Sequence, residues 1–329
     1  MSEGLGNAGS PPTSVVVLRH RLGAVPWGDA LFQGVVAVSG LAVLALAGLL
    51  AFQLADAARP AYAHNGWRFL TETTWNPVAL QFGGAPAIYG TLVSSFLALL
   101  LALPVSIGTA IFLAELAPAW LRDPLSFLVE MLAAIPSVVY GLWGLFVMVP
   151  LVRDPIQAWL GDNLGFIPLF SGPAYGLSMM AGGFILAIMI IPIVTAISRD
   201  VILTVPQSQR EAMLALGATR WEMVWGAVLP YARPGIVGAV LLGLGRALGE
   251  TMAVTMVMGN VWNISSSVFA PAHSIASAIA SEFTEAVDDV YIATLIELAL
   301  VLFTITLLVN ILARLLLWRI AGSLGRVRE

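Results

Sequence analysis

An all-α integral membrane protein with six transmembrane helices is the fold class this sequence predicts, and three observations predict it. Of 329 residues, 59% are hydrophobic and only 10% are charged, whereas a soluble domain is about one quarter charged. The apolar residues are also gathered into runs. The 26 positions between Asp29 and Asp56 carry no charge, and about 20 residues suffice to cross the hydrocarbon of a bilayer. Six runs of this kind follow one another along the chain.

Residues 1–28 are polar and rich in Gly, Pro and Ser, the composition of a disordered tail. The first run, Ala30–Ala55, and its polar leader are both too long for a signal peptide, so it reads as an uncleaved first span. Residues 56–86 carry Arg59, Arg68 and Glu72 with the turn formers Asn76-Pro77 and Gly83-Gly84, and form an external loop. Further spans are expected at Ala87–Ala114, Pro124–Leu151, Ala174–Ile197, Pro234–Val257 and Val290–Ala313. Pro104, Pro136 and Pro192 fall inside them, where proline bends a membrane helix without abolishing it. Residues 262–289, studded with Ser, Pro and His, fit an interfacial or re-entrant outer segment better than a seventh span. The chain thus divides into a tail (1–28), a first helix with its external loop (29–86), a core of five helices (87–317) and a second tail (318–329).

Arginine counts set the orientation. With both termini in the cytoplasm, Arg19, Arg21, Arg122, Arg199, Arg210, Arg220, Arg233, Arg314, Arg319, Arg326 and Arg328 lie inside. Only Arg59, Arg68 and Arg153 lie outside, with Arg246 within a span. The positive-inside rule selects this arrangement.

Composition also excludes chemistry. All 15 basic residues are arginine, and there is no cysteine. Without lysine the chain has no standard P-loop and no Schiff base. Without cysteine it has no disulfide, thiol nucleophile or cysteine metal site. His20, His64 and His273 are too scattered for a metal centre, and neither a cofactor nor a nucleic acid is expected. The ten tryptophans lie partly near span ends, where indole favours the interface.

Two stretches carry candidate function. The first is the 198–233 connection, which contains RDVILTVPQSQREAMLALGATRWEMVWGAVLPYAR. Connections inside helical bundles usually take about 2–8 residues. Ser208 with Glu211, and Thr219 with Glu222, have capping-box spacing. Gly217 stands between them where a helix end favours positive φ, and Pro230 is expected to close the second helix. Met213, Leu214 and Leu216 give the first helix apolar side chains, which fits either docking into a partner's groove or packing under the bundle. The second stretch is GLGRALGETMAVT, 243–255. Arg246 and Glu250 are four apart, one turn along one helical face. Ionised groups at that depth face a protein interior or a water-filled path, and arginine grips oxyanions with a planar fork of donors. An anion path and a self-neutralising ion pair both fit this spacing. Gly243, Gly245 and Gly249 keep the neighbouring surface small for close helix approach. Glu130 and Glu297, each about two turns into a span, fit either a gating role or simple access to water.

These residues resemble known families. Glu211, Ala212, Gly217, Leu229 and Pro230 stand at the spacing of the loop signature of ABC importer permeases, with Met213 and Ala227 as apolar departures. The resemblance implies a type I importer permease fold, with a coupling helix that docks on a separate ATPase subunit. The absence of lysine agrees with a motor on another chain. GRALGETMAV, YGTLVSS (89–95), FLVEMLAAIPSVVYGLWGLFVMVP (127–150), IPLFSGPAYG (167–176) and LIELALVLFTITLLVN (295–310) resemble the phosphate-specific importer permeases of the PstC type from about residue 60 onward. That likeness implies a multi-pass inner-membrane subunit, not itself an enzyme, which forms half of a phosphate path. It implies a PstA-type second permease, two copies of an ATPase and a periplasmic phosphate-binding protein as partners. Arg246, Glu250 and Glu130 are the expected path residues, and the loop residues the expected coupling residues. A molybdate or sulfate permease is the alternative of like architecture. A motor-independent secondary transporter would leave the hairpin unexplained.

Overall fold

The computed structural model describes residues 27–325, with side chains described as far as residue 315. Most of the polar leader, with Arg19 and Arg21, lies outside the described residues, as do the last four positions. Contacts divide the chain at Leu50. The first unit holds most of α1 (Trp27–Ala57), a 31-residue helix with no buried residue.

The second unit begins with the end of α1, then the short α2 (Arg59–Asn65) and a 3-10 turn, Gly66–Leu70. A ribbon follows, β1 (Trp75–Asn76) antiparallel to β2 (Gln81–Phe82). Its turn is built by the Asn76 side chain, which accepts from the Val78 and Ala79 N–H groups at 3.1 Å each. Next comes α3 (Ala85–Ile111), which runs on through a π-helical turn at 112–116.

A separate helix, α4 (Ala119–Ala133), precedes α5 (Ser137–Trp143). The expectation of one span over 124–151 is corrected here. Pro136 is extended (ψ 141°) and starts α5, and proline pushes its predecessor, Ile135, out of the helical region. The helix from Ser137 reaches Leu164 through α5, a wide turn at 144–148, α6 (Val149–Leu151), a second wide turn at 152–157 and α7 (Ala158–Leu164). Pro150 and Pro155 lie in or beside the second wide turn, where a residue without N–H loosens the regular ladder. Arg153, expected in an outer loop, therefore sits inside this helix.

The fourth span, α8, covers Met179–Leu203. Ser178 caps it, accepting from Ala181 N–H at 3.2 Å. The fully buried Gln157 donates to Ser178 Oγ at 2.8 Å and accepts from Gly176 N–H at 3.0 Å. After α9 (Gln207–Ala215) the chain turns into α10 (Arg220–Met223), passes a wide turn at 224–228 and continues as α11 (Leu229–Gly249). Pro230 thus does not close the hairpin's second helix. It stands just after the wide turn at 224–228, which accommodates its missing N–H, and the helix runs on as the fifth span. The span breaks at Glu250 and resumes as α12 (Met252–Val257); α13 (Ile275–Glu282) and α14 (Asp289–Gly325) complete the chain.

Among the described residues, six helices are long and apolar enough to cross a membrane: 27–57, 85–116, 137–164, 179–203, 220–249 and 289–315. Pro104 and Pro192 lie within α3 and α8 without ending them. The main core joins α3, α8, the 137–164 helix and α12 through Ala98, Ala102, Met180, Ile185, Ile190 and Val257. Small residues set the spacing, as lipid-embedded helices require. A Cβ on Gly183 would come within 2.5 Å of Leu97, and one on Gly141 within 3.0 Å of the Ala253 backbone.

Residues 258–283 form no further span. At eight residues, about 12 Å long, α13 is far too short to cross, and the segment folds back into the protein. Val268 and Ala270 carbonyls accept from Met180 and Met179 N–H groups at 2.8 and 3.0 Å, and Thr91 Oγ1 accepts from Ile275 N–H at 2.8 Å. Trp75 stacks on Trp262 with centroids 3.9 Å apart and donates to the Glu282 carboxylate at 3.3 Å, where the Tyr291 hydroxyl also donates. These two indoles are a clasp between the β-ribbon and the α13 region rather than interface anchors.

Candidate translocation site and coupling hairpin

At the break in the fifth span, Arg246 lies in the last turn of α11. Its Nε is buried without a hydrogen-bond partner, and it forms no ion pair among the described residues. The i, i+4 spacing to Glu250 produces no ion pair among the described residues. Glu250 caps the end of α11 with an extended ψ (126°), so the chain leaves the helical path immediately after it. The Glu250 carboxylate instead turns forward, 3.4 Å from the Ala253 N–H in the first turn of α12. Arg246 is thus not neutralised by its expected partner. An interrupted helix leaves backbone groups without ladder partners, which bilayer-depth structure tolerates where it is buried in protein or lines water. Of the neighbouring glycines, Gly243 brings α11 against α8, since a Cβ there would meet Val194 at 2.7 Å. Gly245 and Gly249 meet nothing within 4 Å.

The hairpin has the expected grammar at its tip. Gly217 adopts φ +83°. Thr219 and Glu222 form the full capping box: Glu222 accepts from Thr219 N–H at 2.8 Å, and Thr219 Oγ1 accepts from Glu222 N–H at 3.3 Å. The other expected box is absent, because α9 begins at Gln207, directly after Pro206, with no side-chain cap. Glu211, Ala212 and Gly217 are exposed at the tip, with Leu214 and Leu216; Leu216 is 84% exposed. Met213, by contrast, is half-buried against Val224 and Val228 in the cluster below. Leu229 packs there too, so Leu229 and Pro230 belong to the stem rather than the tip.

What fastens the hairpin is a pair that sequence reasoning missed. Arg210, on the inner face of α9, meets Glu115 at the end of the second span with Nη2–Oε1 2.7 Å and Nε–Oε1 3.1 Å. The two side chains are 12% and 8% exposed. The same guanidinium donates to the carbonyls of Ile202 (3.0 Å), in the last turn of α8, and of Val205, two residues beyond its end. One arginine therefore ties α9 to two spans. Nothing in a single sequence links charges 95 positions apart; the only local signal was Arg210 beside Glu211 in the loop signature.

Glu130 is not in a span. It lies on α4, 54% exposed, and pairs with Arg199 at 3.3 Å. Glu297 is in the sixth span, 5% exposed, and accepts from Asn65 Nδ2 at 3.3 Å. Neither acid is brought to Arg246 by any contact among the described residues.

A family model for "Binding-protein-dependent transport system inner membrane component" matches residues 106–322. The phosphate transport system permease protein PstC of Mesorhizobium japonicum is 46% identical over 301 residues, covering 90% of this chain and 92% of that one. PstC of Pasteurella multocida is 51% identical over 265 residues, 79% and 82% of the two chains. PstC 2 of Mycobacterium tuberculosis is 41% identical, over 87% and 91%. Among solved structures, a bacterial ABC transporter involved in alginate import aligns with TM-score 0.56 at 19% identity, over 88% of this chain and 98% of that one. The inward-facing MetNI methionine transporter aligns with TM-score 0.51 at 19% identity, over 78% and 97%. At that identity the two structures speak for the fold alone.

Proposed function

Because this chain belongs to the binding-protein-dependent inner-membrane permeases, and among them to the PstC phosphate permeases, we propose that it is the subunit that forms half of the phosphate path in an ATP-driven importer. It is a multi-pass inner-membrane protein, and membership of an importer family brings ATPase and substrate-binding partners with it. The finer reading assigns a PstA-type second permease, two ATPase copies, a periplasmic phosphate-binding protein and both termini in the cytoplasm.

The observation that carries the path is Arg246, a guanidinium with an unsatisfied nitrogen at the break of the fifth span. A fixed planar cation suits a tetrahedral oxyanion. Glu250 holds the start of α12 rather than the charge of Arg246, so phosphate is the group that compensates the arginine during passage. The exposed Glu211–Gly217 tip docks on the ATPase, and the Arg210–Glu115 pair carries its movement into the second and fourth spans. Glu130 acts at one remove from the path, through its pairing with Arg199 on α8.

Labelled phosphate uptake into vesicles holding the permease pair, ATPase and binding protein tests this. Arg246→Gln should lose uptake while the complex still assembles. Glu211→Lys should lose ATP-dependent uptake because the exposed tip no longer docks. Normal uptake by Arg246→Gln would remove the arginine from the path. A complex that hydrolyses ATP without moving phosphate would point to another oxyanion.

A further inference from the structure

Beside the hairpin lies a cleft of about 410 Å³ that holds two arginines, Arg122 and Arg220, to which the transport cycle described above gives no role. Glu115, Arg122, Gln207, Arg210, Leu214 and Arg220 line it, bringing together the end of the second span, the start of α4, and both helices of the hairpin. Its charges do not balance. Glu115 is committed to Arg210, while Arg122 and Arg220 form no ion pair among the described residues. Arg122 donates from Nη2 to the Ala117 carbonyl at a long 3.3 Å, and its Nε is buried without a partner. The side chains of Gln207 and Arg220 make no hydrogen bond among the described residues. Two uncompensated guanidinium groups, one of them with a buried orphan nitrogen, and one amide thus converge on one cavity within the size range of small-ligand sites. Buried donors are rarely left unmet, and the fork geometry of arginine matches phosphate oxygens best. Trp120 and Trp221, each within two residues of one of these arginines, are 76% and 58% exposed, as side chains at headgroup level are.

We propose that this cleft binds a phosphate-bearing anion, held between Arg122 and Arg220 beside the Arg210–Glu115 pair. The ligand is either the headgroup of an anionic phospholipid in the adjoining leaflet or free inorganic phosphate on the hairpin side. Basic pockets between spans commonly take such headgroups. An anion there neutralises the surplus charge at the root of the coupling hairpin, so its occupancy bears on how firmly that hairpin is seated.

Arginine footprinting tests this on the unaltered transporter. The assembled complex is treated with phenylglyoxal in nanodiscs of phosphatidylcholine alone, with one-third phosphatidylglycerol, or with phosphatidylcholine and millimolar inorganic phosphate. Modification is then read at Arg122, Arg220 and the exposed Arg233 by mass spectrometry. Protection of Arg122 and Arg220 by fivefold or more, with Arg233 unchanged, supports the site. Protection by phosphatidylglycerol assigns a lipid headgroup; protection by phosphate assigns the free anion. No protection in either sample, or equal protection at Arg233, overturns the proposal. Arginines that stay unreactive in all three samples overturn it too, because a protein subunit then already fills the cleft.

Discussion

Replacing Glu115 with glutamine removes one charge from the fastening of the hairpin and leaves its shape nearly intact. The magnitude follows from burial and geometry. Arg210 and Glu115 are 12% and 8% exposed and meet at 2.7 Å. Removing one member of a buried pair costs about 3–5 kcal/mol, because the other charge is left uncompensated. Here Arg210 keeps the Ile202 and Val205 carbonyls, and the cleft beside it admits water. The lower figure of about 2–3 kcal/mol is therefore expected, which at 1.4 kcal/mol per tenfold is about 30- to 150-fold in the equilibrium for releasing α9. Hydrogen exchange reads this directly. Amides of α9 in the assembled transporter should exchange faster by that factor, with those of α8 as an internal reference. Phosphate moved per ATP should fall, because a loosened hairpin dissipates the stroke. The charge-swapped pair Glu115→Arg with Arg210→Glu should recover part of both. If α9 exchanges within twofold of wild type in both Glu115→Gln and Glu115→Ala, the pair does not hold the hairpin and the mechanical reading fails.

Three further outcomes follow from named geometry. Gly217→Ala places a Cβ at φ +83° in open space, so its cost is backbone strain alone, about 1–2 kcal/mol; uptake should drop, and Gly217→Asn should be milder. Glu250→Gln keeps a side-chain oxygen for the Ala253 N–H and should transport better than Glu250→Ala, an order that a charge-balancing role for Glu250 would not give. Burial lowers the His273 pKa to about 4 from 6.5, against the opposing charge of Glu282. Between those values the unfolded chain binds the proton and the folded chain does not. Stability should therefore fall as pH drops from 6.5 to 4, by about 3 kcal/mol at most. Melting curves across that range should show a shallower decline in His273→Gln.

The spans were legible because an uncharged run longer than the bilayer core has few other meanings, and the Gly217 turn was legible because its cap residues announce themselves locally. The boundaries were harder wherever one apolar run serves two elements. FLVEMLAAIPSVVYG reads as continuous, yet its first half is α4 and its second half opens a span, with only Pro136 marking the join. The same proline rule misled at Pro230, which begins a helix segment there rather than ending one. Glu250 escaped because periodicity assumes an unbroken helix, and a helix end there offers its carboxylate the N–H of Ala253 in α12 in place of Arg246. The Arg210–Glu115 pair escaped for a different reason. Its two halves are local strangers, and only the packing of α9 under two spans makes them neighbours.

The wide turn at 224–228 joins the hairpin to the fifth span in one continuous rod. Its buried positions, Val224, Val228, Ala232 and Ile236, advance in steps of four, and on a 3.6-residue helix each such step drifts about 40° around the axis. A turn of more than four residues absorbs that drift and keeps the stripe on the protein side. Tightening it to an ordinary turn, with no residue removed, would wind the hairpin by about 100° and push it out by about 1.5 Å relative to the span. The join between hairpin and span is thus geometrically a screw thread, able to convert a pull at the tip into rotation of the helix that carries Arg246.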